Sequence, residues 1–303
     1  MSGEAMPLQA QPLPRSRALG RSPALRRARR LLGRFFLYAV VIAGAVLMLI
    51  PFLWMVSGSF KLEKDIFRSP PQWIPNPWDW GNYAEAWRAL PFSRWLRNTL
   101  TIVFFAIIGV FLSCSLVAFG FARLRARGKN VLFLIMLSTL MLPSQVTLIP
   151  TYLLFSALKW VNTFKPLIVP AYFGSPFWIF MLRQFYMGIP WELDDAARID
   201  GASTFYIYSK IMLPLTRPAL TTLVVFTFMS TWNDFFNPLI YLNSWDKFTL
   251  AIGVNMFKGI ADYQARYDLL MAASTVMSIP PLALFFLSQR YFVQGLALTG
   301  IKG

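Results

Sequence analysis

Six stretches of this chain are apolar and free, or nearly free, of charge: about residues 35–56, 98–120, 130–158, 166–187, 218–242 and 269–289. A helix rises about 1.5 Å per residue, so about 20 residues cross the hydrocarbon of a bilayer. Each stretch is long enough. The fourth meets its first charge at Arg183, and an arginine at a helix end carries its guanidinium back to the interface on an apolar stem. Composition agrees: 14% of residues are charged and 17% aromatic, where a soluble domain carries about 25% charged residues. The expectation is an all-α membrane protein of six transmembrane helices, with both termini on one side of a cell membrane.

The distribution of cations says which side. The N-terminus to Arg34 holds eight Lys and Arg, residues 123–129 ("RLRARGK") hold four, residues 183–217 four and the tail two, against 11 in the opposite loops. The short 123–129 loop has four cations and no acid, the clearest mark of a cytoplasmic loop. Both termini are then cytoplasmic. The net charge of +16 is spent on orientation and leaves no basic surface for nucleic acid. Residues 1–34 read as a basic cytoplasmic arm, in which Ser22-Pro23 could open a short interfacial helix, and residues 35–303 as the transmembrane domain. The run after the arm continues for 22 residues without a cleavage site, which favours retention as a first span over removal as a signal peptide. Between the first two spans, "SPPQWIPNPWDWGNY" is too rich in proline for regular helix or central strand; its Trp73, Trp78 and Trp80 suit either anchoring at the interface or docking of an extracytoplasmic partner.

Several chemistries lack their residues. There is no histidine, which removes His-based acid–base catalysis, Ser-His-Asp triads and His metal sites. The single Cys114 can form no internal disulfide or thiolate cluster. No G-x-x-x-x-G-K-[ST] phosphate loop occurs. No catalytic residue, metal ligand or cofactor of the chain's own is expected.

One segment breaks the pattern. "ELDDAARIDG", Glu192 to Gly201, places four acids in nine residues, in a cytoplasmic loop (188–217) between the fourth and fifth spans. Pro190 suits the start of a helix, and Glu192, Asp194 and Asp195 lie in its first turns, where the helix dipole favours negative charge. Ala196 and Ala197 add helix propensity with little bulk, and Gly201 closes the helix because it takes a left-handed conformation cheaply. A second helical piece runs from Ser203, a candidate cap, to Pro214. The pair reads either as a docking element or as a solvated connection.

Asp195-Ala196-Ala197, then Gly201 after three intervening residues, then Ile211, Leu213 and Pro214 after nine more, resembles the EAA motif of ABC importer permeases, with Asp195 where that family usually has Glu. "MLPSQVTLIPTYLLF" (141–155), "FMLRQFYMGIPWELDDAARIDGAS" (180–203), "TWNDFFNPLIYL" (231–242) and "YFVQGLALTGIKG" at the end resemble the carbohydrate-type permeases, in the manner of the second permease subunits of maltose- and glycerol-3-phosphate-type importers. The resemblance covers about residues 35–303. It implies the type I importer permease fold and a pore-forming subunit of an ATP-driven sugar importer, not an enzyme. The partners it implies are a second permease, two ATPase subunits that hold ATP and Mg, and an extracytoplasmic sugar-binding protein. It assigns ATPase coupling to Glu192, Asp195, Ala196, Ala197, Gly201, Ile211, Leu213 and Pro214. It makes the outer segment 243–268 a loop reaching toward the binding protein, with a plain interfacial connector as the alternative, and sends the tail from Gln294 toward the ATPases unless it is merely frayed.

The fifth span carries Trp232, Asn233, Asp234 and Asn237, read as lying on one helix. An ionisable group inside a span costs about 2.5–3.5 kcal/mol, so it should face a cavity or a partner. Amide, carboxylate and aromatic groups together suit a sugar, and the four residues are the substrate-pathway candidates; helix–helix adhesion with a kink at Pro238 is the competing reading. A secondary transporter driven by an ion gradient is the alternative function, opposed by the absence of paired carboxylates in the spans. Reporter fusions after Gly128 and Asp200 should read cytoplasmic and fusions near Asn76 and Asp262 external; an external signal at Gly128 would undo the six-span topology.

Overall fold

The computed structural model describes residues 23–259 and 265–299, with side chains at 31–259 and 265–289. Every regular element among the described residues is helical. Two compact units divide at Leu53 and Trp54. In the first, the described residues form one continuous helix, the body of α1 (Pro23–Gly58). That helix is unbroken from Pro23, so Arg26, Arg27, Arg29, Arg30 and Arg34 lie on the same helix as the first span. Residues 1–22 of the arm lie outside the described residues.

In the second unit a short helix α2 (Gly81–Ala89) leads into α3 (Phe92–Arg123), a 32-residue helix that contributes to both of this unit's cores. Then follow α4 (Lys129–Ser138), α5 (Ser144–Ala157), α6 (Pro176–Met187), α7 (Glu192–Ile199), a π-distorted segment Thr204–Leu215, α8 (Arg217–Trp232), α9 (Phe236–Tyr241), α10 (Leu250–Met256) and α11 (Tyr267–Thr299).

Among the described residues, three helices are long and apolar enough to cross a membrane without interruption: Leu31–Gly58, Phe92–Arg123 and Tyr267–Gln289. The third expected span is bent by 100° between Lys129–Met141 and Ser144–Ala157. The cause is Pro143, whose ring pushes the preceding Leu142 out of the α region; Leu142 is extended at φ −80°, ψ 116°. The fourth is interrupted in the same way at Ser175, ahead of Pro176, and leaves α6 only 12 residues long, about 18 Å of rise. A bend of 78° separates Thr204–Leu215 from α8, where Pro218 sits in the first turn and needs no donor. The six apolar runs are therefore not six rods. α11 continues to Thr299, so residues 294–299 are helical; residues 300–303 lie outside the described residues.

Two apolar cores form along α3. Around its second half, Cys114, Ala118, Phe119 and Ala122 meet Leu182 and Tyr186 of α6, Ile207 and Met212 of the π-distorted segment, and Leu223 of α8. Around its first half, Phe92, Trp95 and Val103 meet Trp232, Val254 of α10 and Leu269 of α11. The described part of the outer segment 243–268 is packed and does not reach out freely. Trp95 Nε1 donates to the Trp245 carbonyl (2.8 Å), Asn98 Nδ2 to the Asp246 and Phe248 carbonyls (2.9 and 3.0 Å), and the Leu250 N–H to Thr99 Oγ1 (2.9 Å). Residues 260–264 lie outside the described residues. Beyond them Arg266 pairs with Asp268 (2.8 Å), Glu85 (2.9 Å) and Glu63 (3.4 Å), fastening the N-terminal end of α11 to the segment before α3.

Gly253 is the tightest point of the α10 contact: a Cβ there would lie 2.2 Å from the Trp95 ring. Gly253→Ala should therefore cost about 1–3 kcal/mol by overpacking, read as a lower midpoint of thermal unfolding in detergent.

Candidate functional site

α7 is positioned by a buried charge. Asp194 Oδ2 lies 3.4 Å from Nη1 of Arg123, the last residue of α3, and both side chains are sealed from solvent (0% and 1% exposed). Arg123 Nη2 also donates to the carbonyls of Tyr186 and Ile189, each at 2.6 Å, and the Trp191 ring covers the guanidinium at 4.6 Å. Burial pushes the Asp194 carboxyl above its ordinary range, and the Arg123 charge pulls it back. Removing one partner of such a pair leaves an uncompensated buried charge, at about 3–5 kcal/mol.

The other acids of α7 face outward. Asp195 is exposed, 4.0 Å from Arg198, which is also exposed, and so are Glu192 and Ala196. Ala197, Ile211 and Leu213 are half-buried against the core, and Pro214 is exposed. The residues expected to couple thus divide into an outer face, Glu192, Asp195 and Ala196, and an inner one. Pro214 does not end the second piece; the helix runs on to Leu215.

The turn after α7 is closed as Gly201 requires. Its φ is +81°, its N–H bonds the Arg198 carbonyl (3.0 Å), and the Ala202 N–H bonds the Ala197 carbonyl (2.8 Å). This is the paired C-terminal bonding of a Schellman motif. Ser203 accepts the Tyr206 N–H at 3.2 Å, an N-cap as expected. Apolar side chains project beside the turn: Ile199 is 86% exposed, with Phe205 and Leu193 also open. Residue identity alone did not single these out, because an isoleucine in a short helix reads as core.

The second constellation departs from its expected form. Asn233, Asp234 and Asn237 do not share a helix. Asn233 ends α8, its Nδ2 donating back to the Met229 carbonyl (2.8 Å), and Asn237 belongs to α9. Pro238 explains the break: it lacks the N–H that would bond the Asp234 carbonyl, and its ring would strike that carbonyl in a continuous helix. Asp234 occupies the gap and caps α9, accepting the Asn237 N–H at 3.1 Å and the Asn237 Nδ2 at 2.9 Å. Trp232 is core, 1% exposed, stacked on Phe228 and donating to the Met277 carbonyl at 3.0 Å.

Asp234 and Asn237 do line a cavity of about 330 Å³. Thr231, Thr151 and Tyr241 add polar groups to its wall, and Ile102, Phe155 and Pro170 apolar surface. Asn233 and Trp232 are not part of that lining. The site therefore keeps two of the four candidates and adds Thr151 from α5, a residue with no local signal because its place depends on the 100° bend.

Residues 115–298 match the family model described as binding-protein-dependent transport system inner membrane component. The chain belongs to that family. Over 262 residues it is 34% identical to the arabinooligosaccharides transport system permease protein AraQ of Halalkalibacterium halodurans, covering 86% of this chain and 93% of that protein. It is 30% identical over 279 residues to the inner membrane ABC transporter permease protein YcjP of Escherichia coli, covering 91% and 99%. Its fold is that of a chain in the crystal structure of a bacterial ABC transporter involved in the import of alginate, with TM-score 0.78, 21% identity, and coverage of 88% of this chain and 98% of that one. This permease is thus a multi-pass membrane protein with the type I importer fold. The match also spans α6 to α9, so the broken helices and the exposed α7 lie inside the family region.

Gly201→Val puts a β-branched side chain at φ +81°, costing about 1–2 kcal/mol or more. A Cβ there meets no atom within 4 Å, so the backbone alone is strained. Membrane insertion should persist and uptake should fall; normal uptake would remove α7's turn from the working parts.

Proposed function

We propose that this permease is one of two pore-forming subunits of an ATP-driven importer of oligosaccharides or related sugars. α7 carries the reading: a helix fixed to the bundle on one side presents Glu192, Asp195, Ala196 and Ile199 on the other, a knob shaped to seat in a partner. That partner is an ATP-hydrolysing subunit, one of two on the cytoplasmic side, which hold ATP and Mg while this chain supplies the pore. Both termini and α7 are cytoplasmic by the distribution of lysine and arginine, and an external binding protein delivers the solute. The sugar class is supported by the relationship to the arabinooligosaccharide permease, and by a cavity that offers a carboxylate, an amide and hydroxyls beside aromatic rings.

Vesicles containing this permease, a second permease and ATPase subunits should take up sugar only with ATP and binding protein, and vesicles with this chain alone should not. Uptake by the chain alone under an ion gradient would instead establish a secondary transporter. Asn237→Ala removes the side-chain amide from the cavity while the backbone cap on Asp234 remains. It should lower uptake a few-fold to about tenfold, the size of one neutral hydrogen bond, with the complex intact. Asn233→Ala, outside the cavity, should leave uptake unchanged. Reversal of that order, or a dissociated complex with normal kinetics, would assign the cluster to helix packing.

A further inference from the structure

The outer face of α7 explains how this permease could be grasped, and not how a pull on α7 reaches the membrane. α7 is flanked by two short connections, residues 188–191 before it and residues 200–203 after it, the second turning at Gly201 with φ +81°. Beyond them lies the π-helical stretch Ile207–Met212, a departure from regular α-helix of the kind often found at functional sites. A displacement applied to α7 would be absorbed at these joints unless something else tied the helix to the bundle.

Among the charged side chains of α7 one faces the bundle. Asp194 is buried, whereas Glu192, Asp195 and Arg198 are exposed. Its counter-charge, Arg123, terminates α3, the helix around which both cores are built. The same guanidinium grips the carbonyls of Tyr186 and Ile189, one at the end of α6 and one in the connection to α7. Three segments therefore converge on one group. Neither Asp194 oxygen has a hydrogen-bond partner, nor does Arg123 Nε or Nη1; the pair is held by charge across 3.4 Å.

A buried ion pair contributes less to stability than its geometry suggests, because desolvation offsets the attraction, and apolar residues of equal volume often serve as well. Mechanically the two differ. Apolar contacts are individually weak and short-ranged, whereas the attraction between opposite charges in a low-dielectric interior acts over a longer distance and opposes their separation.

We propose that Arg123–Asp194 is a strut that delivers displacement of α7 directly to α3. Both are positioning residues: neither touches solute or the docking face. The assignment rests on the reading of α7 as the docking helix.

The test uses the assembled complex with its second permease, ATPase subunits and binding protein in proteoliposomes. Subunit stoichiometry, ATP hydrolysed and sugar taken up are measured on one preparation. Asp194→Asn breaks the charge pair, and the double variant Asp194→Leu with Arg123→Met replaces it by packing. Both should stay assembled and hydrolyse ATP within about twofold of the parent, yet move at least about fivefold less sugar per ATP, the lower end of coupling between distant sites. Asp194→Glu should recover part of the ratio. An unchanged ratio in the double variant, or loss of assembly in both, would overturn the strut and make the pair a packing feature. Failure of the parent complex to assemble or to require ATP would overturn the docking reading itself, and the strut with it.

Discussion

The second unit depends on how closely other segments can approach α3. A transmembrane helix gains little by exchanging lipid for apolar side chains, so helix association relies on close packing and a few hydrogen bonds. α3 provides for both with small residues on its buried side. Gly109 is met so closely by Tyr172 that a Cβ there would lie 2.8 Å from the ring. Cys114, Ser115, Ala118 and Ala122 are buried along the following turns, and Ser115 Oγ shares a hydrogen bond with Tyr208 OH at 2.7 Å. The two cores are consequences of that stripe.

Backbone breaks follow a second constraint. Hydrocarbon offers no hydrogen bonds, so non-helical backbone at membrane depth must be satisfied within the protein. Prolines 143, 176, 218 and 238 each sit at or next to a helix junction, and the freed groups find local partners. The Ser175 N–H meets Cys114 Sγ at 3.2 Å, and the Asn237 N–H meets Asp234. The gap between α8 and α9 is also where a carboxylate reaches a cavity. The interruption that costs hydrogen bonds is what turns Asp234 out of the helix and makes it available.

At α7 the same economy appears with charge. Three acids in its first two turns look equivalent in composition, yet they do different things. Glu192 and Asp195 stay in solvent, where they complement the helix dipole. Asp194 is turned inward by about 100° relative to its neighbour, the angular step of a 3.6-residue helix, and meets Arg123. Arg123 itself belongs to a loop whose cations read only as a marker of orientation; one of the four is a buried structural group.

The sequence by itself determined the helical class, the membrane setting, the short acidic helix with its Gly201 stop and Ser203 cap, and the family. Each of these rests on local periodicity, composition or spacing within a few residues. Tertiary structure decided the rest, because it depends on contacts between residues far apart in the chain. Arg123 and Asp194 lie 71 positions apart (194 − 123) and become partners only when α6 folds back along α3. Thr151 meets Asp234 across a cavity only because Pro143 bends α4 away from α5. Trp232 carries the same local signal as Asp234, two residues on, and packing against Met277 and Phe228 is what assigns it to the core. A hydrophobic run reports that a segment will leave water, but not whether proline will break it, since that depends on whether a neighbour can satisfy the freed backbone.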